Sequence, residues 1–213
     1  MRTSILIVTG LAALAAAACG ATSANTAGET TAPSTLERAA RADSVRHSYT
    51  EADVAFMSGM IHHHAQALLM AEMAPTHEAG PALRIMADRI HLGQSDEIAL
   101  LSRWLRDHGQ PVPDSASVAL HVRGGGHEVH MPGMLSAAQL AELDAARGPE
   151  FDRLFLTYMI RHHQGAITMV EELFGSHGGA QGEAVFKLAS DIAADQASEI
   201  TRMKSMLRDL VFE

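Results

Sequence analysis

Between residues 50 and 74 apolar side chains recur three and four positions apart. On a wheel of 100° per residue, Phe56, Met57, Met60, Ile61, Ala67, Leu68 and Ala71 share one face. Residues 149–174 repeat the pattern with Phe155, Met159, Ile160, Ala166, Ile167 and Val170. Both stretches predict amphipathic helices. Thr50 followed by Asp53 is a capping-box start. Pro75 stops the first helix, because proline lacks an N–H and collides with the preceding turn. A second helix opens near Pro81, a favoured first-turn residue, and ends at Gly109 with Pro111 and Pro113 beyond. Residues 36–48 predict a short leading helix, and Ser136 with Gln139 caps another that reaches Arg147. Gly148 and Pro149 then restart the pattern.

The helices come in two copies. At a constant offset of 99, Asp53, Phe56, Met60, Ile61, His63, His64, Ala67, Met70 and Glu72 meet Asp152, Phe155, Met159, Ile160, His162, His163, Ala166, Met169 and Glu171. At an offset of 102, Gln94, Glu97 and Ile98 meet Gln196, Glu199 and Ile200, so the second copy has the longer turn, at 175–183. A repeated unit that cannot bury its apolar face alone must pack on its copy. The predicted fold is all-α: a ferritin-like four-helix bundle of two antiparallel helix pairs, about 50–108 and 149–211, joined by a long crossover at 109–135.

The first 35 residues stand outside that scheme. Residues 1–18 carry Arg2, an apolar run and a stretch of alanines, the pattern of a secretory signal peptide and too short for a comfortable membrane span. The alanines end directly at Cys19, which resembles a bacterial lipoprotein box, although Ala16 stands where leucine is usual. The expectation is a lipid-anchored Cys19 at the mature N-terminus, with plain secretion as the alternative. Residues 19–35 are small and polar and read as a flexible tether, leaving 36–213 as the folded domain. The chain is expected outside the cytoplasm. Its formal charge of −9 opposes nucleic acid as a partner. The sequence does not fix the oligomeric state.

One cysteine excludes an internal disulfide framework and a cysteine-rich zinc site, whereas 13 histidines and 12 methionines offer ligands for late transition metals. Adjacent histidines on a helix diverge by about 100°. His64 and His163 fall in the middle of the apolar faces, and His63 and His162 on their flanks. His62 is predicted to point to solvent, since Arg161 is its counterpart. Met60 precedes His63 and His64 by three and four positions, as Met159 precedes His162 and His163, so each trio shares a helix surface. The candidate metal ligands are Met60, His63, His64, Met159, His162 and His163, forming one shared site or two separate ones. Neutral imidazole is the ligand, so affinity is expected to fall as pH drops through about 6.5. The competing reading is a hydrogen-bonded core, with Gln94, Glu97, Gln196 and Glu199 as partners; the same groups would serve to orient ligand imidazoles. Met70, Met73, Met86, Met169, Met203 and Met206 read as core packing. His47, His77, His91, His108, His121 and His177 read as surface or turn residues. His127, His130, Met131 and Met134 form a second candidate site in the crossover, or else a loop whose methionines plug the bundle end.

The segments FMSGMIHHHAQALLMA and FLTYMIRHHQGAITMV, with MPGML, FDRLF and QASEI, closely resemble a family of secreted bacterial proteins, domain-of-unknown-function family 305. The resemblance spans about residues 48–211. It implies a ferritin-like bundle of two helix-pair repeats whose paired histidines are suspected of function, and some relatives are linked to extracytoplasmic copper. Carried over by position, the pattern falls on Met60, His63, His64, Met159, His162 and His163. A copper-binding lipoprotein is therefore expected, with silver as a further soft ion. A structural or partner-binding bundle without metal is the alternative. A ferritin-like dinuclear oxidase stands behind both: it needs Glu-x-x-His motifs, and the nearest match, Asp88 with His91, meets Ser190 and Ala193 in the second copy. Hydrolase chemistry has no supporting motif.

Overall fold

The computed structural model describes residues 34–35, 49–114, 118 and 131–212. The signal, Cys19, most of the tether, the expected helix at 36–48, and His127 and His130 lie outside the described residues. The described residues form helices and turns without a strand: α1 (Glu51–Ala71), α2 (Pro81–Asp107), α3 (Ala137–Ala145), α4 (Gly148–Gly175) and α5 (Glu183–Phe212). None of these helices is long and apolar enough to cross a membrane.

The boundaries follow local chemistry. Thr50 caps α1 through the Asp53 amide while the Asp53 carboxylate takes the Thr50 amide, the reciprocal capping box. α1 ends at Ala71, the residue whose carbonyl the Pro75 ring would strike. The equivalent of Pro75 is Phe174, and α4 accordingly runs on to Gly175. Pro81 opens α2 at its first turn, and Ser136 with Gln139 boxes the start of α3.

α1 packs on α2 and α4 on α5, and the two pairs meet chiefly through α1 against α4. Each pair is antiparallel: Tyr49, just before α1, sits edge-on to Trp104 near the end of α2, and Phe174 at the end of α4 stacks on Phe186 at the start of α5. Two apolar clusters fill the interior, one around Met70, Met86, Phe151, Phe155 and Met203, the other around Phe56, Met57, Leu101, Trp104 and Ile192. Met70, Met86, Met169 and Met203 are buried, and Met73 and Met206 pack against the first cluster at its margin.

The repeats also exchange hydrogen bonds. The Ala180 amide, in the turn of the second pair, donates to Asp53 of α1 at 2.7 Å. The Gly80 amide, in the turn of the first, donates to Asp152 of α4 at 3.0 and 3.1 Å. Asp53 and Asp152 are equivalent in the repeat, so each helix pair completes the turn of the other.

The end of the crossover, residues 131–136, lies along α1 and α4. Gln66 of α1 grips it at Leu135, donating to the carbonyl at 3.1 Å and accepting from the amide at 2.7 Å. On α4, the missing side chain of Gly165 makes room for it, since a Cβ there would fall 1.9 Å from the Pro132 carbonyl oxygen. Gly133, with φ of +77°, adopts the left-handed backbone that brings its Cα against Gly165.

Candidate metal centre

His63 and His64 lie midway along α1, and His162 and His163 midway along α4, where the two helices meet. All four are fully buried. The His63 and His162 rings face one another with centroids 3.9 Å apart. His64 and His163 sit beyond them, 6.4 and 6.3 Å from their chain neighbours. The four imidazoles thus form one cluster at the contact between repeats, which favours the shared arrangement over two separate ones.

The outer members each meet a carboxylate from the following helix of their own repeat. His163 Nε2 donates to Glu199 Oε2 at 2.8 Å. His64 Nε2 lies 2.8 Å from Glu97 Oε2, but off the hydrogen-bonding line, so that contact is one of proximity rather than a well-aligned bond. A carbonyl only accepts, so His63 carries its proton on Nε2 and donates it to Pro132 at 3.0 Å. Protons on Nε2 leave the Nδ1 lone pairs of His63 and His163 free. Six of the eight ring nitrogens are buried without an aligned partner: Nδ1 of His63, His64 and His163, both nitrogens of His162, and Nε2 of His64.

Burial disfavours charge on these rings. It is the main cause that lowers His63 to about 3, aided by His64 and opposed by the Pro132 carbonyl. His162 is held well below the ordinary value by burial and then by His63, His163 and His64, with the nearby His63 carbonyl opposing weakly. His163 is lowered by burial first, although Glu199 opposes. These three rings are neutral at physiological pH, the form that binds metal. The proton competition expected near pH 6.5 from sequence therefore moves to lower pH, because the apolar surroundings resist protonation before any ion does.

The donor set suits a late transition metal: buried, neutral, nitrogen-rich, with lone pairs unclaimed by the protein. Among the described residues, no three His, Cys, Asp or Glu side chains are already drawn around one point. An ion would be held only after the rings turn about their side-chain bonds. Met60 and Met159 are fully buried, but they belong to different apolar clusters. The structure brings the four histidines together and leaves the two thioethers in separate clusters of the core.

Two histidines differ from their sequence reading. His62 is buried, with 8% of its surface exposed, and its Nδ1 donates to the Ser58 carbonyl at 3.0 Å. The wheel assigned it to solvent, but α1 has its neighbouring flank, at Gly59 and Gln66, covered by the crossover. His77, read as a surface or turn residue, does lie in the first turn but is buried against Phe151 and reaches the Asp144 carbonyl at 2.9 Å, tying that turn to the end of α3. Within the crossover, Met131 packs against the flank of the second apolar cluster and is half-buried, as is Met134. MPGM stands out in the sequence for its methionines, and sequence reading misses that its Pro132 carbonyl holds His63.

This is an all-α bundle of two helix-pair repeats with a buried histidine cluster at their junction. The sequence profile of the domain of unknown function DUF305 matches residues 53–207, and the chain belongs to that family. A DUF305 fragment from Deinococcus radiodurans is 32% identical, covering 76% of this chain and 98% of that one, with a TM-score of 0.63. A DUF305 protein from Streptomyces coelicolor shares the fold at 23% identity and a TM-score of 0.63, covering 75% of this chain and 93% of that one. CopM in its Cu(II)-bound form is 31% identical, covering 74% of this chain and 96% of that one, with a TM-score of 0.59. CopM has also been solved in Cu(I)-bound, silver-bound and apo forms. No curated protein matches the chain.

Proposed function

We propose that this protein binds copper outside the cytoplasm, through His63, His64, His162 and His163, with Met60 and Met159 as sulfur ligands recruited from the adjoining core. The observation that carries the reading is the set of six buried ring nitrogens without an aligned protein partner. Leaving such groups unpaired costs roughly 1–3 kcal/mol each, a cost that bound metal would offset. The CopM forms with Cu(II), Cu(I) and silver support copper as the ion. Thioether sulfur suits Cu(I), and imidazole accepts either valence. Magnesium, which wants oxygen, is expected to bind poorly. A secretory signal and a lipidated Cys19 would hold the domain at the outer face of a membrane, where it would take up or buffer the ion.

The test is copper titration of the mature domain, under reducing and oxidising conditions, beside a variant with His63, His64, His162 and His163 changed to Gln or Asn. Loss of binding in a folded variant is the expected outcome. Unchanged stoichiometry and affinity would move the site to the crossover, at His127, His130, Met131 and Met134. No copper bound by the unmodified domain would end the copper reading. His62→Gln serves as the comparison, since its Nδ1 is committed to the Ser58 carbonyl.

A further inference from the structure

The four histidine rings have no exposed surface, so an ion must reach them by a path. A cleft of about 180 Å³ opens between α2 and α5, the helices that pack chiefly on α1 and α4. Gln94 and Gln196 line it, one from each repeat; both are buried, and both Gln94 amide atoms and the Gln196 oxygen lack a protein partner. Buried amides of that kind are satisfied by solvent or by an ion arriving through the cleft. Glu97 and Glu199 line it as well, about 15% exposed, each with one carboxylate oxygen at an outer histidine of the cluster, His64 or His163. Asp195 adds a third carboxylate at the wall. Gly93 lines it too. Mid-helix glycine is unfavourable, and a Cβ at this one would meet nothing within 4 Å, so no close packing calls for it. Its equivalent is Asp195, and its missing side chain leaves the mouth wider.

We infer that this cleft is the passage by which a metal ion reaches the buried histidines, with Glu97 and Glu199 relaying it from solvent to His64 and His163. The inference rests on the metal-binding reading above. A mouth with three carboxylates and the single Arg89 concentrates cations. Carboxylate oxygen binds a hydrated divalent ion first, and imidazole nitrogen, the better match for a late transition metal, then displaces it. No covalent bond changes; the His163–Glu199 hydrogen bond opens as the ring turns its free Nδ1 to the ion.

The experiment mixes the metal-free mature domain with copper(II) sulfate in a stopped-flow instrument and measures release to a chelator, with equilibrium affinity measured separately. Gly93→Phe fills the mouth from α2, and Ser198→Phe fills it from α5, where Ser198 is exposed. Gly93→Ala leaves it open. Each phenylalanine variant is expected to slow loading and release alike, by about tenfold or more, with affinity unchanged, because an obstacle raises both directions of one barrier. Gly93→Ala keeps the wild-type rates. If both folded phenylalanine variants load and release at wild-type rates, the passage is overturned while the binding site stands. Affinity that falls with loading unchanged overturns it too, since that marks damage to the site. A wild-type domain that binds no copper at equilibrium fails the site reading itself and removes the passage with it.

Discussion

His63 and His162 lie face to face, 3.9 Å between ring centroids, although 99 residues separate them in the chain. Two protonated imidazoles at that distance would repel strongly in a dry interior. The contact is compatible only with rings kept neutral, which burial enforces at both positions.

Stability should therefore depend on pH in one direction. The folded state depresses the His63, His162 and His163 values below that of the unfolded chain. Above about pH 6.5 neither state protonates them and stability is full. As pH falls from there, the unfolded chain takes up protons that the folded one refuses. Each ring then removes about 1.4 kcal/mol per pH unit at most, down to about pH 3 for His63. Thermal melts of the metal-free domain at pH 7.5, 6 and 5 should show a steady decline. The Gln/Asn variant of the four histidines should flatten it; an equal slope in both would refute the assignment.

The exchanged hydrogen bonds predict a second pair of effects. Asp53→Ala strands the Ala180 and Thr50 amides, and Asp152→Ala strands the Gly80 amide. Losses of about 2–4 and 1–3 kcal/mol are expected in denaturant unfolding, the larger for Asp53. A surface-like loss of a few tenths at either position would show that the turns are held by something else.

Gly165→Ala tests the seat of the crossover. One methyl group at that position collides with the Pro132 carbonyl, which is backbone and cannot swing aside. The variant should lose at least about 2 kcal/mol despite alanine's better helix propensity, and His63 should lose its carbonyl partner. Nitrogen NMR of the imidazole would show a changed Nε2–H signal for His63. A stabilised variant with that signal intact would refute the close approach.

At the N-terminus, mass spectrometry of protein from its own envelope should find acylated Cys19 as the first residue. One acyl chain gives only marginal membrane binding, so a stable anchor requires the additional chains a lipoprotein cysteine carries. An unmodified chain beginning after Gly20 would leave secretion and remove the anchor.

Much of this was legible because it is local or repeated. Thr50 with Asp53, Pro75, Pro81 and Ser136 with Gln139 act within a turn of themselves, so their chemistry is written in adjacent letters. The two offsets exposed the equivalent helices, and with them Glu97 and Glu199 as partners of the paired histidines. What escaped depends on segments that meet only in space. His62 was assigned outward because a wheel knows one helix and not the strand of backbone laid beside it. His77 finds its acceptor 67 residues away at Asp144. Gly133 and Gly165 look like ordinary glycines until their backbones touch. The thioethers of Met60 and Met159 share helix surfaces with the histidines, yet side-chain packing divides them between two clusters.

The crossed bonds from Ala180 to Asp53 and from Gly80 to Asp152 have a consequence for the chain's divisibility. Cut within the crossover, either half carries a hook for a turn it does not possess and a turn whose hook has gone. The two halves supplied together are expected to find each other. A half supplied alone has one self-sufficient remedy, a second copy of itself, each taking the place of the other's missing repeat. In its contacts the protein is a symmetric pair of subunits held on a single thread.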